Sequence, residues 1–292
     1  MKPTAAAATR ALFGAAFILL ALSAVLAGYV PISTWTTPIC WWGYLLILDA
    51  LLEAREGASP FVGRPRRFAA WTILSILFWL PFEAYNLRLR NWEYVGLPDD
   101  PWIRAAGYAV SFATILPGLF LTSAALRSFG LFARSRCRPW GLGRRGERVS
   151  MAAGALCLIV PPLLPGAIGR WLFAPVWIGL ILLLEPLNAR RGRDSLLDDL
   201  RRGEPGRALR LMTAGLICGV LWEWWNFGAA AKWIYHVPYF PSVRLFEMPV
   251  AGFLGFAPFA LEYYALYRAA AMLWNGVVGG TSRPGGGATF SV

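Results

Sequence analysis

Six carboxylates lie in or at the edge of long apolar stretches: Asp49, Glu83, Glu185, Glu223, Glu247 and Glu262. An ionisable group at membrane depth is costly, so each needs a partner or a purpose. Glu83 and Glu223 stand out because each is followed three residues later by an asparagine, Asn86 and Asn226. At that spacing Glu and Asn share one helical face. One Glu-Asn pair from each half of the chain is therefore expected to converge in the outer part of the membrane, with Asn86 and Asn226 in the candidate catalytic site. Aromatics surround the second pair: Trp222, Trp224 and Trp225 beside Glu223, then Trp233 and Tyr235 beyond it. The first pair has Trp92 and Tyr94 in the matching place. A carboxyl kept from water among aromatic rings can hold its proton and act as a general acid. Indole and phenol faces can stabilise a cation that develops nearby. Two blander readings stay open, in which each Glu ties neighbouring helices together and the rings form an interfacial aromatic belt.

Glu247, in Glu247-Met248-Pro249, opens the last apolar stretch and is placed with Glu83 and Glu223 in the candidate site. Glu262 lies about four turns further in, before Tyr263 and Tyr264, and is a substrate-side candidate. Asp49 and Glu185 fall near helix ends close to Arg55 and Arg190 and read as ion pairs there. The chain has a single histidine, His236, in a predicted loop. That excludes His-rich metal centres, bis-His haem and HExxH sites, so no metal and no cofactor is expected. Gly141 to Gly146 matches GxGxxG but follows an Arg/Pro loop rather than a strand, so nucleotide binding is not inferred.

Something must position these residues, and the composition says what. Of 292 residues 57% are hydrophobic and only 15% charged, against roughly a quarter charged in soluble domains. Eight stretches could cross a membrane: 11–29, 38–54, 68–87, 104–127, 150–169, 171–188, 208–228 and 248–274. Pro117 and Pro258 would kink the fourth and eighth. Twenty-two of the 28 basic residues fall in alternate loops and the termini, which puts both termini in the cytoplasm. The net charge of +12 is thus a topology signal and not a mark of nucleic-acid binding. The Arg-rich loop 136–149 reads as a contact with anionic lipid head groups. Residues 1–27 also resemble a signal peptide, and 276–292 read as a disordered tail.

The chain repeats itself. Pro81 to Asn86 answers Leu221 to Asn226, Trp92-x-Tyr94 answers Trp233-x-Tyr235, and Pro98 answers Pro238. Trp42 to Asp49 resembles Trp177 to Glu185, and Pro117 corresponds to Pro258. The predicted architecture is therefore all-α: a polytopic bundle of about eight spans in two parallel four-helix repeats, 1–135 and 150–275. A repeat interface is the expected place for a site, and its retention of residues 1–27 argues against their cleavage.

The string Trp222-Glu-Trp-Trp-Asn226, then Lys232-Trp-Ile-Tyr235, Pro238 and Phe246-Glu-Met-Pro249, resembles the membrane-embedded lycopene cyclase domains of the bacterial heterodimeric and fungal carotenoid type. Those domains carry paired acids after a proline; here Pro249 is followed by Val250, Ala251 and Gly252, and Glu247 precedes it. The resemblance implies cofactor-independent acid catalysis on an isoprenoid. Glu83 or Glu223 would protonate a double bond, Trp222, Trp225 and Tyr235 would shield the cation, and Glu247 would receive the returning proton. The residues alone leave two other readings open, a transporter of small molecules or lipids with its site between the repeats, and a non-catalytic scaffold. The expected location is a bacterial inner membrane.

Overall fold

The computed structural model describes residues 4–191, 194–239 and 242–278. Lys2, Arg193, Arg283 and residues 279–292 of the expected tail lie outside them. The chain is mostly helical, with two two-stranded sheets. The principal helices are α1 (Ala5–Leu26), α2 (Thr36–Glu56), α3 (Pro65–Leu89), α4 (Pro101–Phe112), α5 (Ile115–Ser128), α6 (Arg144–Leu163), α7 (Phe173–Arg191), α8 (Gly206–Gly228) and α9 (Phe256–Val278). Four helical segments, Ala5–Leu26, Pro65–Leu89, Pro101–Ser128 and Gly166–Arg191, are long and apolar enough to cross a membrane. Two of them, Ala5–Leu26 and Pro65–Leu89, carry Leu12, Leu19, Ile73 and Leu77 exposed. Such continuous apolar surface is what a membrane protein presents to lipid.

Small residues let the helices approach. Gly14 of α1 faces Gly43 of α2, and a Cβ on Gly14 would lie 2.4 Å from the Gly43 carbonyl oxygen. Gly154 of α6 faces Gly179 of α7 in the same manner, at 2.6 Å. Short side chains of this kind bring helix backbones together where no hydrophobic effect drives them. Helix α5 sits in the middle, with every residue from Ile115 to Ala125 buried, between α2, α3 and α8.

The helix breaks differ from the expectation built on proline. The stretch 104–127 is interrupted at Ala113 and Thr114, and Pro117 falls in the first turn of α5. Pro258 is likewise in the first turn of α9, after a 3₁₀ segment, Val250–Gly255. A proline in a first turn lacks only an N–H that had no helical partner, so it starts these helices rather than kinking them. Helix α9 also runs to Val278, into the segment expected to be tail. Residues 139–143 form no strand before α6, in keeping with a GxGxxG match that has no nucleotide-binding context.

Two short strands connect the ends of α3 and α8. Strand β1 (Trp92–Val95) follows α3, β2 (Lys232–Tyr235) follows α8, and they pair antiparallel. Trp92 stands opposite Tyr235, and Tyr94 opposite Trp233. Strands β3 (Arg244–Leu245) and β4 (Met248–Pro249) form a small hairpin before the 3₁₀ segment. Gly96, at φ 66°, closes β1 against the carbonyl of Ala230, where a Cβ would lie 2.0 Å away. Only glycine fits that turn.

Candidate functional site

The α3 and α8 ends carry Glu83 and Glu223, and the strand ladder brings their surroundings together. Asn86 reaches forward to β1: its Nδ2 donates to Trp92 O at 2.7 Å, and its Oδ1 accepts from Asn91 N at 2.8 Å and Trp92 N at 3.1 Å. Asn226 does the same for β2, donating to Trp233 O at 2.8 Å and accepting from Trp233 N at 2.9 Å. Asparagine suits this task because its amide offers both a donor and an acceptor to the backbone. Both asparagines, expected beside the reacting carboxyls, are thus occupied in fastening strands. This corrects the expectation for them: sharing a helical face with Glu does not aim an amide with it.

Each strand then returns a tyrosine to the carboxyl. Tyr94 OH donates to Glu83 Oε1 at 2.6 Å, and Trp79 Nε1 donates to the same oxygen at 2.7 Å. Tyr235 OH donates to Glu223 Oε1 at 2.9 Å. Burial and then the neighbouring carboxylate push the ionisation of both phenols well above the usual tyrosine range, so both remain donors. The two sites differ in one respect. Glu223 is fully buried and its Oε2 has no hydrogen-bond partner.

Glu223 lines a cavity of about 140 Å³. Its walls are aromatic: Trp35, Trp41, Trp79, Trp177, Trp222 and Phe259 are among them. The rings pack edge-to-face or tilted, with Trp41 and Trp222 centroids 4.9 Å apart and Trp177 and Phe259 5.0 Å apart. Trp92, Tyr94, Trp233 and Tyr235, all singled out in the sequence, line it as well. Helix α4 closes one side with Arg104, Gly107, Tyr108 and Phe112. Among the described residues Glu223 is the one carboxylate on this wall.

Other expected site residues lie elsewhere. Trp225 is buried behind the wall, 4.9 Å from Trp41. Glu83 stands behind Trp79 and Tyr94, which line the cavity in its place. Glu247 falls in the β3–β4 turn and pairs with Lys232 Nζ at 2.6 Å, so it reaches the cavity only through that lysine. Glu262 is separate from the site. It is fully buried against α7, where it accepts from Leu180 N at 3.2 Å.

Asp49 and Glu185 cap short helices instead of pairing with Arg55 and Arg190. Asp49 accepts from Ser59 Oγ at 2.7 Å and Phe61 N at 2.8 Å, with Arg10 at 3.1 Å. Glu185 accepts from Leu197 N at 3.0 Å. Both carboxylates answer backbone N–H groups at a helix start that have no partner within the helix. Arg55 turns to Ser128, and Arg190 to Glu147.

The sequence reading missed Trp41, Trp79, Trp177, Arg104 and Tyr108. A signal for two of them existed. Trp41 precedes Asp49 by eight residues as Trp177 precedes Glu185, whereas Trp42 was matched and turns instead to α4, donating to Val110 O at 3.2 Å. No group of three or more His, Cys, Asp or Glu is placed to hold a metal ion among the described residues. No family model, no curated protein and no solved structure matches this chain.

Proposed function

We propose that the protein is a cofactor-independent enzyme of the bacterial inner membrane that acts by acid catalysis on an unsaturated apolar lipid or isoprenoid. The observation that carries this reading is Glu223: a fully buried carboxyl on the wall of an aromatic cavity, with one oxygen held by Tyr235 and the other without a hydrogen-bond partner. That second oxygen carries the proton. An alkene π pair takes it, a C–H bond forms, and the adjacent carbon becomes a cation. Tyr235 OH steadies the carboxylate left behind, and the faces of Trp41 and Trp222 stabilise the cation. Loss of a proton from a neighbouring carbon back to Glu223 restores the acid, so the net change is an isomerisation or cyclisation. This assigns the proton's return to Glu223 in preference to Glu247, which Lys232 engages.

The same reading takes the chain as two four-helix units, crossing the membrane about eight times with both termini in the cytoplasm. Several correspondences favour it: the Gly14–Gly43 and Gly154–Gly179 contacts, the Asn86 and Asn226 clamps, and the Tyr94–Glu83 and Tyr235–Glu223 bonds. The site then lies where the units meet, in the outer half of the membrane.

Expression in cells that accumulate lycopene or other polyprenyl lipids, followed by lipid profiling, tests the proposal. A new isomer or cyclised product is expected from the wild type and none from Glu223→Gln. No product from the wild type, or the same product from Glu223→Gln at equal protein level, overturns it.

A further inference from the structure

Arg104 gives the cavity a charged feature that acid chemistry on a hydrocarbon does not use. It stands on α4, half-buried, and lines the wall together with Lys232. The charge of Lys232 is answered by Glu247 at 2.6 Å. Arg104 has no such answer: Nε donates to Pro98 O at 3.1 Å and Nη2 to Asp99 O at 3.1 Å, and no carboxylate among the described residues pairs with it. Asp100, the nearest acid in sequence whose bonds are fixed, spends Oδ1 on the backbone of Trp102 and Ile103 at 2.8 and 3.0 Å. Two carbonyls therefore fix the plane of the guanidinium. Its remaining N–H groups have no hydrogen-bond acceptor among the described residues. A positive charge held in place on a largely aromatic wall favours an anion, and the guanidinium fork fits phosphate oxygens.

We propose that the cavity takes a single-chain amphiphile, with its unsaturated chain among the indoles near Glu223 and a phosphate head against Arg104 and Lys232. The inference rests on the proposed function for the chain's fate at Glu223, but the head-group site stands on Arg104 alone. A neutral hydrocarbon would leave this guanidinium facing an apolar ligand, with its donors unpaired.

Purified protein in phosphatidylcholine nanodiscs, titrated by indole fluorescence, gives the test. Farnesyl phosphate, farnesol and inorganic phosphate are the three probes. Farnesyl phosphate is expected to bind about tenfold or more tightly than farnesol, the size of one charge-assisted contact. Inorganic phosphate alone should give no change at the same concentration. Arg104→Gln should remove the preference while farnesol binding stays, and Arg104→Lys should keep part of it. Equal affinity of farnesol and farnesyl phosphate in the wild type overturns the proposal, without recourse to any variant. So does a preference that survives Arg104→Gln in protein with an unchanged melting curve. Inorganic phosphate matching farnesyl phosphate would also overturn it, since the chain would then contribute nothing. Glu223→Gln separates this idea from the catalytic one. Phosphate-selective binding without product in the wild type defeats only the acid chemistry, and product from a neutral polyene without phosphate preference defeats only the head-group site.

Discussion

Tyr235 donates to Glu223 Oε1 at 2.9 Å while Glu223 Oε2 is buried without a hydrogen-bond partner, so one oxygen of this carboxyl is anchored and the other is left unanswered. The anchor comes from β2, outside the helix that carries the acid. The strand is held in turn by Asn226 on that helix, one turn along. The position of Glu223 thus depends on a closed loop of hydrogen bonds from α8 to β2 and back.

Removing the anchor should reduce turnover more than it unfolds the protein. Tyr235→Phe keeps the ring and deletes one hydrogen bond to a buried carboxyl, with an expected stability loss of about 1–3 kcal/mol. Product formation should fall about tenfold or more, because the carboxylate formed after proton transfer loses its donor. Lipid profiling and a melting curve on the same preparation check the two effects. Unchanged product formation would remove Tyr235 from the site.

The same hydroxyl sets an alkaline limit. The ionisation of Tyr235 is pushed well above its ordinary value of 10.0 by burial and by Glu223. The folded state therefore holds this proton more tightly than the unfolded chain does. Its contribution to stability is complete below the unfolded value, about 10, and is lost as pH rises from there towards the folded value. Denaturation midpoints of wild type and Tyr235→Phe should therefore converge above about pH 10. Midpoints that stay parallel to pH 11 would refute the assignment.

Asn226→Ala should cost more stability than a surface change, because it frees both backbone groups of Trp233 in a part-buried setting. Two hydrogen bonds, at 2.8 and 2.9 Å, are lost together. A penalty of about 2–4 kcal/mol is expected, with a similar one for Asn86→Ala. Chemical denaturation of each variant measures it. A loss of activity at full stability would instead return the asparagines to the chemistry.

Much of this arrangement could be read from residue order, and the failures have physical causes. Long apolar runs mark helices whatever their neighbours are, so the segments around Glu83 and Glu223 were legible. The Glu-x-x-Asn and Trp-x-Tyr spacings also marked Glu223 and four of the rings that line the cavity, Trp92, Tyr94, Trp233 and Tyr235. Spacing along a helix does not say whether an amide turns to a carboxyl or to the backbone beyond the helix end. That is why Asn86 and Asn226 were misread. Arg104 was invisible for a different reason: its interest comes from having no acid partner in space, which residue order does not reveal. Pro117 misled because a proline kinks a helix interior but starts a helix when the break falls just before it.

The glycine contacts provide a test of how the helices are held together. Gly14→Ala would place a methyl 2.4 Å from Gly43 O, and Gly154→Ala would place one 2.6 Å from Gly179 O. Both obstacles are backbone atoms, which cannot rotate away as a side chain could. Helix α1 must then move off α2, or α6 off α7, and dispersion contacts along the whole pair weaken together. Overpacking of this kind costs about 1–3 kcal/mol. Gly63→Ala serves as the control, since nothing lies within 4 Å of its added Cβ. Thermal unfolding in one detergent should show lower midpoints for the first two variants and an unchanged one for the third. If Gly14→Ala and Gly63→Ala melt alike, close glycine packing does not hold α1 on α2.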